Sequence, residues 1–200
     1  MRIVCPHAGP PHPLTLLSLA AWWDQDKHDA NPVEYVDTSG SDTAYAELIM
    51  RLWKTSPDGF TIIEHDVSFL PAQMDALLEC ERDYCAGVYP WSTNIGPALG
   101  FTSIKQGIIA EAGGTPNLHG VSYRQLDVVL VRHILGRHFN RQPHLHLPPV
   151  QHNNPDQALR PEFQHLTLAD HLGALGYEIA DDGLTAEYVN PTREFGERAA

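Results

Sequence analysis

The stretch Phe60-Thr61-Ile62-Ile63-Glu64-His65-Asp66 is the segment on which the fold assignment of this chain depends. Its first four residues form a short apolar run, which is typical of a buried strand when polar residues bound it. Side chains two positions apart in an extended chain point the same way. Glu64 and Asp66 are therefore expected to converge on one point beyond the end of the strand.

Strands and helices alternate on both sides of this stretch. The pattern of apolar residues predicts strands at 2–4, 32–37, 60–63, 85–89 and 144–147. It predicts helices at 14–23, 43–54, 72–81, 102–112, 123–135 and 166–175, and a loop at 96–100. In the first helix, Leu14, Leu17, Ala20 and Ala21 share one face. This alternation predicts an α/β domain with a mostly parallel central sheet flanked by helices.

The size and charge of the chain limit its organisation and its partners. We predict one domain over residues 1–155 and a C-terminal extension over 156–200 with a weak helix and a loose tail. The formal net charge of −12 is unfavourable for non-specific nucleic-acid binding, which needs Lys and Arg on phosphates. The sequence shows neither an apolar run long enough to span a membrane nor a signal peptide.

The three cysteines are Cys5, Cys80 and Cys85. An odd, widely spread set argues against a disulfide framework and for a reducing cytoplasm. Cys80 and Cys85 alone do not make a zinc ribbon, which needs four ligands at tighter spacing. We therefore expect a cytoplasmic protein, and its oligomeric state stays open.

Glu64 and Asp66 are the first candidate site. Two carboxylates on one face of a strand end can bind a hard cation, Mg²⁺ or Mn²⁺, which favours oxygen ligands. Parallel sheets bind ligands at the carboxyl ends of their strands, which is where these acids lie. The alternative is a loop with two solvated acids.

The segment Tyr35-Val36-Asp37-Thr38-Ser39-Gly40-Ser41-Asp42 joins the second strand to the next helix. Taken alone, it could be an ordinary capped turn. It resembles the V-D-D-G-S-x-D segment of GT-A type glycosyltransferases, with Thr38 where that family usually has a second Asp. Residues 1–152 also resemble compact glycosyltransferase-like proteins of bacteriophages, most specifically at Glu64-His65-Asp66.

The resemblance implies a single Rossmann-like GT-A domain and a role for each motif. Asp37 would contact the nucleoside of a nucleotide-sugar, and Pro6, at the end of the first strand, would lie against the nucleotide. Glu64, His65 and Asp66 would bind the diphosphate and its metal ion. Asp127, on a later helix, would remove a proton from the acceptor hydroxyl, and the helix N-terminus would keep this acid ionised.

A third set of candidates is the histidine-rich string His144-Leu145-His146-Leu147-Pro148-Pro149-Val150-Gln151-His152. The resemblance implies that a late histidine completes the metal site, and His146 and His152 are the candidates. A zinc site made only of these histidines is the competing interpretation.

The resemblance thus implies a metal-dependent glycosyltransferase that moves a sugar, most simply from a UDP-sugar, to a hydroxyl acceptor. The expected acceptor is a phage macromolecule, either a hydroxymethylated DNA base or a virion protein. Two alternatives stay open, namely a metal-dependent hydrolase or nuclease and a non-catalytic module that binds sugar nucleotides.

Overall fold

The computed structural model describes residues 1–23 and 33–189. The strands are β1 (Arg2–His7), β2 (Val33–Asp37), β3 (Gly59–Ile63), β4 (Val67–Ser68), β5 (Tyr84–Trp91), β6 (Asn94–Lys105), β7 (His144–His146), β8 (Gln151–His152), β9 (Tyr177–Ile179) and β10 (Thr185–Tyr188). The helices are α1 (Pro13–Trp23), α2 (Ala44–Thr55), α3 (Pro71–Glu79), α4 (Gln106–Glu111), α5 (Tyr123–Leu126) and α6 (Leu168–Ala174). A π helix (Asp127–His138) continues α5, and short 3-10 helices span Pro155–Gln157 and Pro161–Phe163.

The main sheet has the strand order β2-β1-β3-β6-β5-β7-β10-β9, and β4 pairs with β8 in a separate ladder. The predicted α/β class is confirmed, but the sheet is mixed rather than mostly parallel. The pairs β1–β2, β1–β3 and β5–β7 are parallel. The pairs β3–β6, β5–β6, β7–β10 and β9–β10 are antiparallel.

The predicted loop at 96–100 was wrong, and so was the first part of the helix predicted at 102–112. The expected loop and the start of the expected helix belong to β6, and only Gln106–Glu111 is helical. Residues 96–104 of this strand are buried with no polar face, so its sequence lacks the alternation that reveals a half-buried strand. Gly96 in this strand packs closely against α6 and its C-terminal end, because a Cβ at this position would lie 2.7 Å from Leu175 Cδ1.

Helices cover both faces of the sheet. Val4 packs with α2 and the π helix on one face, whereas its neighbour Ile3 packs with α1 and α3 on the other. This alternation follows from the pleat of β1. The face of α1 that carries Leu14 and Leu17 is exposed, because the helix packs inward through Thr15, Leu19 and Trp22.

The segment after residue 155 adds to the main sheet. Strands β9 and β10 extend the sheet beyond β7, and α6 packs beside them over a third apolar cluster. The weak helix predicted at 166–175 is present as α6. The loose tail was also predicted, and its part beyond residue 189 lies outside the described residues.

The cysteines were predicted not to form a disulfide framework, but one disulfide is present. Cys80 and Cys85 are joined to each other, and Cys5 is a free, buried thiol. Cys80 follows the end of α3 at Glu79, and Cys85 lies at the start of β5, which begins at Tyr84. The disulfide therefore spans the short connection between this helix and this strand. A search of the described helices finds none with the length and apolar character needed to cross a membrane.

Candidate active site

A cavity of about 290 Å³ opens beyond the carboxyl ends of β1 and β3. The chain runs from β1 to β2 on one side and returns to β3 on the other, so this is where the strand order reverses. Ligands of open α/β sheets bind at such a point. The lining residues are Pro6, Ala8, Thr38, Ser41, Tyr45, Glu64, His65, Asp66, Tyr89, Trp91, Tyr123, Arg124, Asp127, His152 and Asn154.

Three potential metal ligands meet at one end of this cavity. One ligand atom from each of Glu64, Asp66 and His152 lies within 4.8 Å of the other two. The β4–β8 ladder brings them together, because it sets Val67 opposite His152. The Asn153 amide also donates to the Asp66 carbonyl at 2.7 Å, which holds the two segments in register.

Glu64 is held in a crowded, poorly solvated position. Its amide donates to the Gly100 carbonyl at 2.8 Å, and a Cβ on Gly100 would lie 2.5 Å from Glu64 Oε2. Burial raises the pKa of Glu64 to about 8, and the negative charges of Asp127 and Asp66 add to this effect. The Tyr45 side chain partly offsets the shift. The hydroxyl of Tyr45 faces Glu64 without forming a hydrogen bond of ordinary geometry.

Asp66 is shifted in the opposite direction. Burial alone would raise the pKa of Asp66, but its hydrogen bond and charge interaction with His152 outweigh burial, so the net shift is downward. Nε2 of His152 lies 3.3 Å from Asp66 Oδ2, and the Nδ1 atom of the same ring is buried without a hydrogen-bond partner. The Asp66–His152 pair is thus oriented before any ligand binds.

This donor set fits a hard divalent cation. Two carboxylates and one imidazole match the ligands that Mn²⁺ accepts, and carboxylates also suit Mg²⁺. Glu64, Asp66 and Asp127 place three acidic groups in one partly buried site, and a divalent cation would favour their ionised forms. The residues present would therefore fit Mn²⁺ or Mg²⁺, and binding of either metal stays a prediction.

Asp127 lies in the same cavity, on the first turn of the π helix. One of its carboxylate oxygens accepts a hydrogen bond of 2.9 Å from the Leu99 amide of β6. Burial raises the pKa of Asp127, although the Leu99 hydrogen bond and the charge of His152 act against that rise. The net upward shift of the Asp127 pKa runs against the prediction that this acid is kept ionised.

Aromatic rings and one cation form the remaining walls of the cavity. Tyr89 stacks on Trp91 with ring centroids 6.3 Å apart, and its ring lies 5.0 Å from that of His152. Arg124 Nε donates to the Tyr123 hydroxyl at 3.0 Å near the opening. Tyr45 and Tyr89 also line the cavity, and their place in the sequence does not reveal this because its pattern is that of ordinary core residues.

Pro6 and His65 line the cavity, whereas Asp37 does not, and the predicted nucleotide contacts of Pro6 and His65 stay predictions. Asp37 is exposed at the end of β2, and its carboxylate accepts a hydrogen bond of 2.8 Å from the Ser39 amide. Its neighbour Thr38 lines the cavity instead. A contact between Asp37 and a nucleoside stays a prediction.

His146 does not join Glu64 and Asp66, in contrast to the prediction. Its ring lies 5.0 Å from that of His144, and both histidines gather with Cys80 in a separate cluster. The two histidines share one face of β7, while His152 follows Pro148 and Pro149 on β8. Burial lowers the pKa of His146 to about 4, and the charges of His144 and Lys105 contribute.

Comparison with known proteins assigns no family to this chain. No family model matches it, and no curated protein matches it. Among solved structures, it has a likeness to the crystal structure of A197 from STIV, with 16% identity over 56% of this chain and 68% of that chain. The TM-score of that superposition is 0.37, so no fold or function is taken from it.

Proposed function

We propose that this protein is a metal-dependent glycosyltransferase that moves a sugar from a nucleotide-sugar, such as a UDP-sugar, to an acceptor hydroxyl. The observation that carries the proposal is that the Glu64, Asp66 and His152 cluster shares one cavity with Asp127. In this proposal the sheet and its helices form a domain of the GT-A type.

Each part of the cavity has a role in this proposal. Glu64, Asp66 and His152 would hold Mn²⁺ or Mg²⁺, and a metal bound there would supply positive charge to neutralise a diphosphate leaving group. Arg124, at the opening, adds a cation for the phosphates. Trp91 and Tyr123 offer flat surfaces for a base or a sugar ring, and Pro6 and Thr38 border the same space.

Asp127 supplies the general base. It accepts the proton of the acceptor hydroxyl while the hydroxyl oxygen bonds to the anomeric carbon and the carbon–oxygen bond to the diphosphate breaks. The diphosphate leaves with the electron pair of that bond. A base works best when its pKa is near the operating pH, and the upward shift of the Asp127 pKa acts in that direction.

Two observations favour a transferase over the alternatives. A simple binding module has no need of a third carboxylate, yet Asp127 lies partly buried near Glu64 and is oriented by the Leu99 amide. A nuclease requires a basic surface for phosphates, and the formal net charge of −12 opposes this. Within the proposal, a virion protein or a single hydroxymethylated base that enters a pocket remains a suitable acceptor.

The proposal is tested by donor turnover and product mass. The chain is incubated with Mn²⁺ and a panel of UDP-sugars, together with hydroxymethylated DNA, unmodified DNA or candidate virion proteins. We expect release of UDP and a mass increase of one hexose or hexosamine on one acceptor class. EDTA and Asp66→Asn should both abolish these signals.

Asp181→Asn is the matched control, because Asp181 is an exposed acid outside the cavity. UDP release without sugar on any acceptor would identify a donor hydrolase. Full transfer in EDTA would contradict the proposed role of the metal, and tight UDP binding without turnover would leave a binding module.

A further inference from the structure

We propose that Cys80, Cys85, His144 and His146 form a second metal site, which binds Zn²⁺ when the two cysteines are reduced. This site is separate from the cavity and does not depend on the proposed transferase activity. Neither cysteine and neither histidine lines the cavity.

Sheet register places these four residues together. In the parallel β5–β7 pair, Cys85 is the partner of His144 and Gly87 is the partner of His146. Paired residues share a face of the sheet, so Cys85 and both histidines lie on the same side. Leu145, between the histidines, belongs to the apolar cluster on the other side. Cys80, at the end of α3, reaches the same side and bonds Cys85.

Three of the four ligand atoms are already grouped, and the fourth is bonded to one of them. The Cys80 sulfur and one nitrogen from each of His144 and His146 lie within 4.8 Å of one another, and the Cys85 sulfur is bonded to the Cys80 sulfur. Zinc lies about 2.3 Å from sulfur and about 2.0–2.1 Å from nitrogen, which sets tetrahedral ligands roughly 3.3–3.8 Å apart. Once the disulfide is reduced, the two sulfurs have to separate to about 3.8 Å while the histidine nitrogens close to a similar spacing, which gives a two-sulfur, two-nitrogen site of the structural type.

The surroundings of the histidines support metal binding. Nδ1 of His144 lies 2.8 Å from a Glu187 carboxylate oxygen, which also accepts a hydrogen bond of 2.9 Å from Arg82. A carboxylate on one ring nitrogen orients a ligating histidine and leaves the other nitrogen for the metal. In His146, Nε2 is buried without a hydrogen-bond partner, and a metal would satisfy it.

The disulfide and the zinc site are alternative states of the same sulfurs. Two molecules of a thiol reductant give two electrons to the Cys80–Cys85 bond and become a disulfide themselves, which leaves two thiols on the chain. Zn²⁺ then displaces the two thiol protons and bonds to both sulfurs. In either state, the end of α3 is tied to β5, and only the metal also ties it to β7.

Cobalt titration of the reduced chain tests this proposal. Co²⁺ is added to protein kept in a phosphine reductant, and absorption is followed in the thiolate-to-cobalt and ligand-field regions. We expect thiolate bands and tetrahedral bands that saturate at one equivalent and disappear when Zn²⁺ is added. The Glu64, Asp66 and His152 cluster contains no sulfur and cannot produce thiolate bands.

Variants identify the ligands. Cys80→Ser and His146→Gln should each weaken Co²⁺ binding by more than about tenfold, which is 1.4 kcal/mol. His119→Ala is the matched control, because His119 is exposed and lies outside the cluster. If Cys80→Ser does not fold, as judged by circular dichroism, His146→Gln decides the question. A reduced chain without thiolate bands, or unchanged bands in His146→Gln, would overturn the proposal.

Discussion

His152 Nε2 lies 3.3 Å from a carboxylate oxygen of Asp66, and only 4% of the His152 side chain is exposed. This contact joins the acids that end β3 to a histidine that follows β7 by several residues. It depends on the short β4–β8 ladder rather than on the main sheet. A metal site at this place therefore needs the late segment of the chain to be folded against the early one.

Replacement of Asp66 is the most direct test of that site. Asp66→Asn removes one charged oxygen ligand and the ionic partner of His152. We expect the Mn²⁺ affinity measured by isothermal titration calorimetry to fall by about 100-fold, which is about 2.8 kcal/mol. Asp181→Asn should bind Mn²⁺ as the wild type does. Equal affinities for the two variants would show that Asp66 is not a ligand.

Metal binding should depend on pH through Glu64. The pKa of Glu64 is raised to about 8 in the metal-free chain, so at neutral pH the metal must displace a proton. Affinity should therefore increase with pH up to about 8, by as much as roughly tenfold per unit, because one proton is exchanged. Calorimetry in buffers with different ionisation enthalpies should detect release of about one proton per metal at pH 7.

Glu64→Gln is the control for this pH effect. The amide has no proton to exchange, so metal binding should be weaker and nearly independent of pH over the same range. A wild type that binds Mn²⁺ without proton release would show that Glu64 is already ionised or does not contact the metal.

Gly100 should be intolerant of a side chain. A methyl group there would lie 2.5 Å from Glu64 Oε2 and 2.7 Å from the Tyr89 hydroxyl, so both contacts must be relieved by a shift of the side chains or of the strand. We expect Gly100→Ala to lower the free energy of unfolding by about 1–3 kcal/mol, as overpacking does, and to weaken Mn²⁺ binding. Urea unfolding and calorimetry measure the two effects.

Gly114→Ala provides the comparison, because a Cβ at Gly114 meets no atom within 4 Å. Its unfolding free energy and Mn²⁺ affinity should stay near those of the wild type. A stable Gly100→Ala protein with normal Mn²⁺ affinity would mean that Glu64 can move without loss of the metal site.

Asp127→Asn should separate catalysis from binding. The amide oxygen can still accept the Leu99 hydrogen bond, so folding should be preserved. The variant cannot accept the acceptor proton, and general-base catalysis contributes about 10²–10⁴-fold, so transfer should slow by that factor. Donor and Mn²⁺ affinities should change little. Transfer at the wild-type rate would assign the base to another group, and product stereochemistry would then show whether configuration is retained.

Local sequence was enough to predict the acids of the site. The apolar run 60–63 followed by polar residues identified a buried strand and placed Glu64, His65 and Asp66 at its end. The helical spacing after Tyr123 also placed Asp127 on a helix. The apolar run of the first strand placed Pro6 near the end of that strand. These predictions succeeded because each depends on periodicity within a few residues.

Tertiary structure alone decided which distant residues meet. The pairing of β4 with β8 brings His152 to Asp66, and the pairing of β5 with β7 takes His146 to the cysteines instead. Strand β6 was not predicted, because residues 96–104 are buried and show no alternation of polar and apolar side chains. The contact between the Leu99 amide of this strand and Asp127 was therefore not predicted either. Strand pairing and burial depend on contacts between segments far apart in the chain, which leave no local periodicity in the sequence.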